Sequence, residues 1–173
     1  MNKQPGNPWA SFQADRAAAA PRRRMLLGPA TACALAAVLG CEAMPTPKGY
    51  VRVDPPWNYT YRAVSADGAV VSVRTVENPR QGTLDFWAKA VSGELLDARG
   101  YKLAARQDVK GARGLPGIEM LMKTQVEGID YAYLLTLFVK SDRVIVFEAT
   151  GPAATLDADL PAIRNAIASS SLL

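Results

Sequence analysis

Residues 131–139, Tyr-Ala-Tyr-Leu-Leu-Thr-Leu-Phe-Val, are apolar at both parities. In an extended chain successive side chains point to opposite faces. Tyr131, Tyr133, Leu135 and Leu137 therefore line one face, and Leu134 and Phe138 line the other. Such a strand needs cover on both sides. The rest of the chain has to supply two layers around a sheet, which restricts the architecture to a sandwich of helices and strands.

The flanking segments supply them. Residues 57–64 alternate large apolar and polar positions, as a half-buried strand does, and Asp67-Gly68 is a strong hairpin signal before the β-branched run 69–76. Asn78-Pro79-Arg80-Gln81-Gly82 breaks that run. Thr83 is placed to cap a helix, with Asp85 in its first turn and Leu84, Trp87, Val91 and Leu95 on one face; Gly100 ends it. Strands are predicted at 101–109, 118–126, 130–139 and 143–150, with Gly128 and Ser141-Asp142 at the tight turns. A last helix is expected to start at an Asp159 cap, with Pro161 in its first turn and Leu160, Ile163 and Ile167 as its buried stripe. The order is β-β-α-β-β-β-β-α. All strand links but one are hairpin-short, so the class is α+β with a mostly antiparallel sheet and helices on its faces.

This order, with Asp67-Gly68, Phe86-Trp87, Gly100-Tyr101-Lys102-Leu103 and the run from Arg143 to Gly151, resembles the PsbP-like fold. A photosystem extrinsic subunit, DcrB-type envelope proteins and a nuclear Ran-binding protein share that fold. The resemblance covers residues 57–173 and implies an αβα sandwich. Its motifs are structural, so it carries no catalytic residue onto this chain.

The amino-terminal segment reads as an address. Arg22, Arg23 and Arg24 lead an apolar or small run over 25–39, which stops at Gly40-Cys41. The run is shorter than the roughly 20 residues of a membrane-spanning helix. A charged region, a short apolar core and a small-residue boundary form the secretory signal pattern. Val38-Leu39-Gly40-Cys41 resembles the bacterial lipobox. That resemblance implies cleavage between Gly40 and Cys41 and fatty acylation, palmitate included, of Cys41. The three arginines also resemble a twin-arginine export motif, so either export route stays open. Residues 1–40 are then a removed signal, 41–48 a lipidated cysteine and flexible tether, and 49–173 one globular domain. The cell envelope is the expected location, on the outer membrane facing the periplasm where the cell has two membranes. Cys33 lies inside the signal, so the mature chain keeps only Cys41 and forms no internal disulfide.

Charge narrows the partners. Of 20 Lys and Arg and 16 Asp and Glu, five basic residues and one acidic residue precede Cys41. The remainder is balanced at fifteen of each, which gives the domain no electrostatic reason to seek nucleic acid.

The chain has no histidine, which removes imidazole bases and ligands, and it has no GxxxxGK[ST] or GxSxG motif. No cofactor or metal is expected. The candidate binding residues are an aromatic set, Trp57, Tyr59 and Tyr61, placed on one face by the alternation; Arg113 in the glycine-rich loop 111–117, with Lys110 beside it; and Glu148, a carboxylate among apolar neighbours. The function read from this is a lipid-anchored, non-enzymatic binding or assembly-accessory domain, contacting the membrane through its acyl chains and an envelope protein or small ligand through its surface. Two alternatives stay open. One is a small hydrolase using carboxylates alone, among them Glu119, Glu127, Asp130 and Glu148. The other is a divalent-cation or subunit-docking module.

Overall fold

The computed structural model describes residues 43–173. Their elements are β1 (Tyr50–Arg52), β2 (Tyr61–Ser65), β3 (Val70–Glu77), α1 (Leu84–Gly93), β4 (Lys102–Lys110), β5 (Pro116–Val126), β6 (Ile129–Val139), β7 (Arg143–Pro152) and α2 (Ala153–Ala168). The described strands form one sheet in the order β1-β2-β3-β7-β6-β5-β4, and every neighbouring pair is antiparallel. The last strand, β7, sits between β3 and β6 and joins the two hairpin runs. At the β5–β6 turn Glu127 and Gly128 both have positive φ, 52° and 81°, the geometry of a two-residue hairpin whose twist matches its strands.

The double parity of β6 is used as expected. Ala132, Leu134 and Phe138 join Ile145, Phe147, Ala149, Val71, Val73 and Tyr61 in a core closed by Leu156, Leu160, Ile163 and Ile167 of α2. On the other parity Tyr133, Leu135 and Leu137 are buried with Val144, Val146, Met120 and Met122. There α1 lies over β5 and β6 and buries Ala88, Val91 and Leu95. Thr83 Oγ1 accepts from the Phe86 N–H at 3.2 Å, which makes it the α1 cap. The helix then widens into one π-turn over Glu94–Ala98 and stops at Gly100, φ 68°. Trp87 is only half-buried and donates its indole N–H to Asn78 Oδ1 at 3.1 Å. Among the described residues no helix is long and apolar enough to cross a membrane.

Four expectations need correction. A strand precedes the predicted first one: β1 is three residues long, too short for alternation to show, and is fixed by the buried Tyr50, whose hydroxyl donates to Asp159 at 2.8 Å. The strand expected from 57 begins at Tyr61, because Pro55 and Pro56 lead into a turn closed by the Tyr59 N–H on the Pro56 carbonyl. The tether expected over 41–48 is packed from Ala43 on. Met44 is fully buried, Pro47 is buried, and Ser170 Oγ donates to the Ala43 carbonyl. Pro45 and Pro47 have little backbone freedom to lose, so the buried Met44 and Pro47, with the bonds from Ser170 and from Tyr61 to Thr46, need offset only a small ordering cost. Finally, α2 starts directly after β7, with Pro152 at its cap position. Asp159 is thus inside the helix rather than its cap. Pro161 is also interior and removes one rung of the helical ladder, a loss offset by the buried face around it.

Candidate functional site

Two buried carboxylates organise the polar interior, one on each face of the sheet. On the α1 face Glu148 of β7 lies opposite Ser72 of β3 and Leu135 of β6. Arg74 reaches it from β3 with two bonds, Nη2 to Oε1 at 2.9 Å and Nε to Oε2 at 3.3 Å. Tyr133 donates its hydroxyl to Oε1 at 2.8 Å. Arg74 and Glu148 are 6% and 5% exposed, so this is an interior ion pair. Burial, followed by the charge of Glu148, holds the Tyr133 hydroxyl well above the ordinary tyrosine range. Tyr59 stands beside the same carboxylate, and burial and then Glu148 push its pKa up to about 12.

A raised tyrosine pKa stabilises the fold fully below the unfolded value near 10 and loses that contribution as pH rises through the folded value. Stability is therefore expected to fall between about pH 10 and 12. Urea midpoints measured at the two ends should show the fall, and Tyr59→Phe should make it shallower.

On the α2 face Glu119 of β5 is held by Arg164 of α2, with Nη2 to Oε1 at 2.7 Å and Nε to Oε1 and Oε2 at 3.0 and 3.2 Å. Gln107 of β4 adds Nε2 to Oε1 at 2.8 Å. Beside this group is a cavity of about 310 Å³, open between α2 and strands β4–β6. Gln107, Glu119, Arg164, Asn165, Lys110 and Thr136 supply its polar lining. Val109, Phe138, Ile167 and Ala168 supply an apolar wall. Phe138 lies across its partner Gly117, where an added Cβ would meet the ring at 2.5 Å, so the wall needs glycine there. Thr136 Oγ1 is buried without a hydrogen-bond partner among the described residues.

The predicted site residues separate. Gly40, Cys41, Arg22, Arg23 and Arg24 lie outside the described residues. Trp57, Tyr59 and Tyr61 do not share a face. Trp57 is 90% exposed in the turn before β2, Tyr59 turns to Glu148, and Tyr61 is buried in the α2-side core. The expected alternation fails because the strand starts only at Tyr61. Arg113 is exposed in the short 3-10 turn Ala112–Gly114, φ 57°, and does not line the cavity, whereas its neighbour Lys110 does. Glu119 and Glu148 point to opposite faces and form no pair. Glu127 and Asp130 are exposed at the β5–β6 turn, where Asp130 accepts from Gln125. Among the described residues no group of three Cys, Asp or Glu side chains is close enough to hold a metal ion.

Arg74, Gln107, Arg164 and Thr136 were not singled out in the sequence, and Tyr133 was read only as one face of an apolar strand. Their signals were a charge inside the β-branched run 70–76, one polar residue inside the apolar run of β6, and an arginine next to the buried stripe of α2.

No protein-family model matches the chain, and no curated protein sequence does. Solved structures do. The domain is similar to PsbP (CyanoP) of the cyanobacterium Synechocystis, with TM-score 0.55 and 14% identity over 83% of this chain and 98% of that one. The fold is PsbP-like. The same PsbP-like arrangement is similar to LpqN of Mycobacterium tuberculosis, a protein involved in cell envelope biogenesis, with TM-score 0.58 and 12% identity over 73% of this chain and 79% of that one.

Proposed function

We propose that this chain is a cell-envelope lipoprotein whose PsbP-like domain is a non-enzymatic binding or assembly module. Residues 1–40 direct export and are removed, acyl chains on Cys41 hold the protein to the membrane, and the packed segment from Ala43 keeps the domain close to the leaflet. The observation that carries binding over hydrolysis is the condition of the two buried carboxylates. Each is already engaged by an arginine and a second donor, and the two face opposite sides of the sheet. In two-carboxylate hydrolysis such as that of glycosides, both carboxyl groups flank one scissile bond, about 5–9.5 Å apart. The balanced charge after Cys41 supports a protein or small-molecule partner over nucleic acid. The likeness to an envelope protein agrees with the location and adds nothing about the ligand.

Fractionation tests the anchor. Wild type should sediment with membranes, while Cys41→Ala should leave an unprocessed or mislocalised chain. An unprocessed or soluble wild type would overturn the reading. Where the cell has two membranes, Glu42 after the acylated cysteine favours the outer one, because its carboxylate stands one methylene further out than the aspartate that often retains such proteins inside. Density-gradient separation of wild type and Glu42→Asp decides that address, and co-migration of wild type with inner-membrane markers contradicts it.

A further inference from the structure

We propose that the end of the sheet carrying the β6–β7 turn is a lipid-docking surface, with Trp57 seated in the headgroup region of the leaflet that holds the acyl chains. This rests on acylation of Cys41 and adds which way the domain faces.

The direction of the packed segment carries the argument. Helix α2 leaves β7 at Pro152 and runs back over the sheet. Its last turn therefore lies at the β6–β7 turn, where Lys140 Nζ donates to the Leu172 carbonyl at 2.6 Å. Ser170 holds the Ala43 carbonyl at that same end. From there the chain buries Met44 and passes Thr46, which accepts from the Tyr61 hydroxyl at 3.1 Å. It reaches the opposite end at Tyr50, across from Ser65, where β2 finishes. Cys41 is two residues before Ala43, about 7 Å of chain at most. Acyl chains on so short a lead bring this end of the domain against the leaflet.

Trp57 is at the same end. The link from β1 to β2 turns just beyond the start of β2, where the Thr60 N–H donates to the Val73 carbonyl. The Trp57 ring is 90% exposed, more than any other large apolar side chain among the described residues. An indole suits a membrane interface, where its apolar body and its polar N–H both find partners. Phe86, exposed in the first turn of α1, starts from this end as well. The charges agree. The links here carry Arg80, Arg113 and Lys140 against Asp54 and Asp142. Those at the far end carry Lys48 and Arg99 against Asp67, Glu94, Asp97 and Glu127. An anionic leaflet repels the far end and not this one.

The test uses the mature protein extracted from membranes and reconstituted in vesicles of phosphatidylethanolamine and phosphatidylglycerol. The vesicles are made with and without bromine, a contact quencher of indole, on the acyl chains near the headgroups. Past Cys41 the chain holds two tryptophans, Trp57 and Trp87, so wild type minus Trp57→Phe gives the emission of Trp57. Adding Ile129→Trp to Trp57→Phe gives the matching spectrum for the far end, at the β5–β6 turn. Both positions are exposed, so the core stays intact. Trp57 emission is expected to lie to the blue of an indole in water and to lose most of its intensity in brominated vesicles. The Ile129→Trp reporter should keep a water-like emission at full intensity. Trp57 emission unchanged by bromine would overturn the proposal, and is the result expected if a protein rather than lipid covers the ring. Equal quenching of the two reporters would overturn it too. The intact mass of the same sample separates this orientation from the anchor it rests on. An unacylated chain would overturn the anchor, and the orientation with it, whereas an acylated chain with unquenched Trp57 would overturn the orientation alone.

Discussion

Arg74→Met is expected to cost about 3–5 kcal/mol of stability, the usual penalty for leaving one partner of a buried ion pair uncompensated. Glu148 would keep its Tyr133 hydrogen bond but would face an apolar side chain where the guanidinium made two contacts. Little water can reach it, since both residues are almost fully buried. Adding Glu148→Gln to Arg74→Met removes the stranded charge and should recover a large part of the loss. Urea unfolding of the two single variants and the double variant gives the coupling directly. A loss under about 1 kcal/mol for Arg74→Met would mean that solvent enters the α1 face and that the pair is an exposed one.

Phe147→Ala should also cost about 3–5 kcal/mol, the range for a large aromatic deleted from a packed core. Phe147 is fully buried and meets Phe138 edge to face, with ring centroids 5.9 Å apart. The cavity left behind would lie at the centre of the α2 face, between β7 and the helix stripe. Trp57→Ala is the control, because a larger ring is removed from a site 90% exposed. It should change stability by less than about 0.5 kcal/mol. The same unfolding curves check both, and comparable losses in the two variants would contradict the assignment of faces.

These two aromatic positions show what the sequence could and could not disclose. Residues within β5, β6 and β7 were legible because long antiparallel strands repeat their parity many times, so burial can be read from alternation. The stripe of α2, Leu160, Ile163 and Ile167, was legible for the same reason at helical spacing. Trp57 was misread because its apparent alternation with Tyr59 and Tyr61 spans a turn, and parity means nothing where the backbone is not extended. Met44 was misread because a single large apolar residue just ahead of two prolines has no period at all. It joins the same core cluster as Tyr61, and Ser170 holds the carbonyl of the preceding Ala43, partners that lie elsewhere in the sequence.

The polar sites were harder still. Glu148 could be singled out as a carboxylate among apolar neighbours, but its partner Arg74 is 74 positions away, and the pairing depends on β7 inserting beside β3. Glu119, Gln107 and Arg164 come from three elements whose proximity is a matter of topology. Thr136 was passed over as one polar residue within an apolar strand. Only its lack of a partner, a property of the folded neighbourhood, gives it meaning.

The measurement closest to the central claim is the intact mass of the protein extracted from membranes. The account predicts a chain that begins at Cys41 and is heavier than residues 41–173 by its acyl groups. A mass equal to an unmodified chain, or one that still includes residues 25–40, would contradict it.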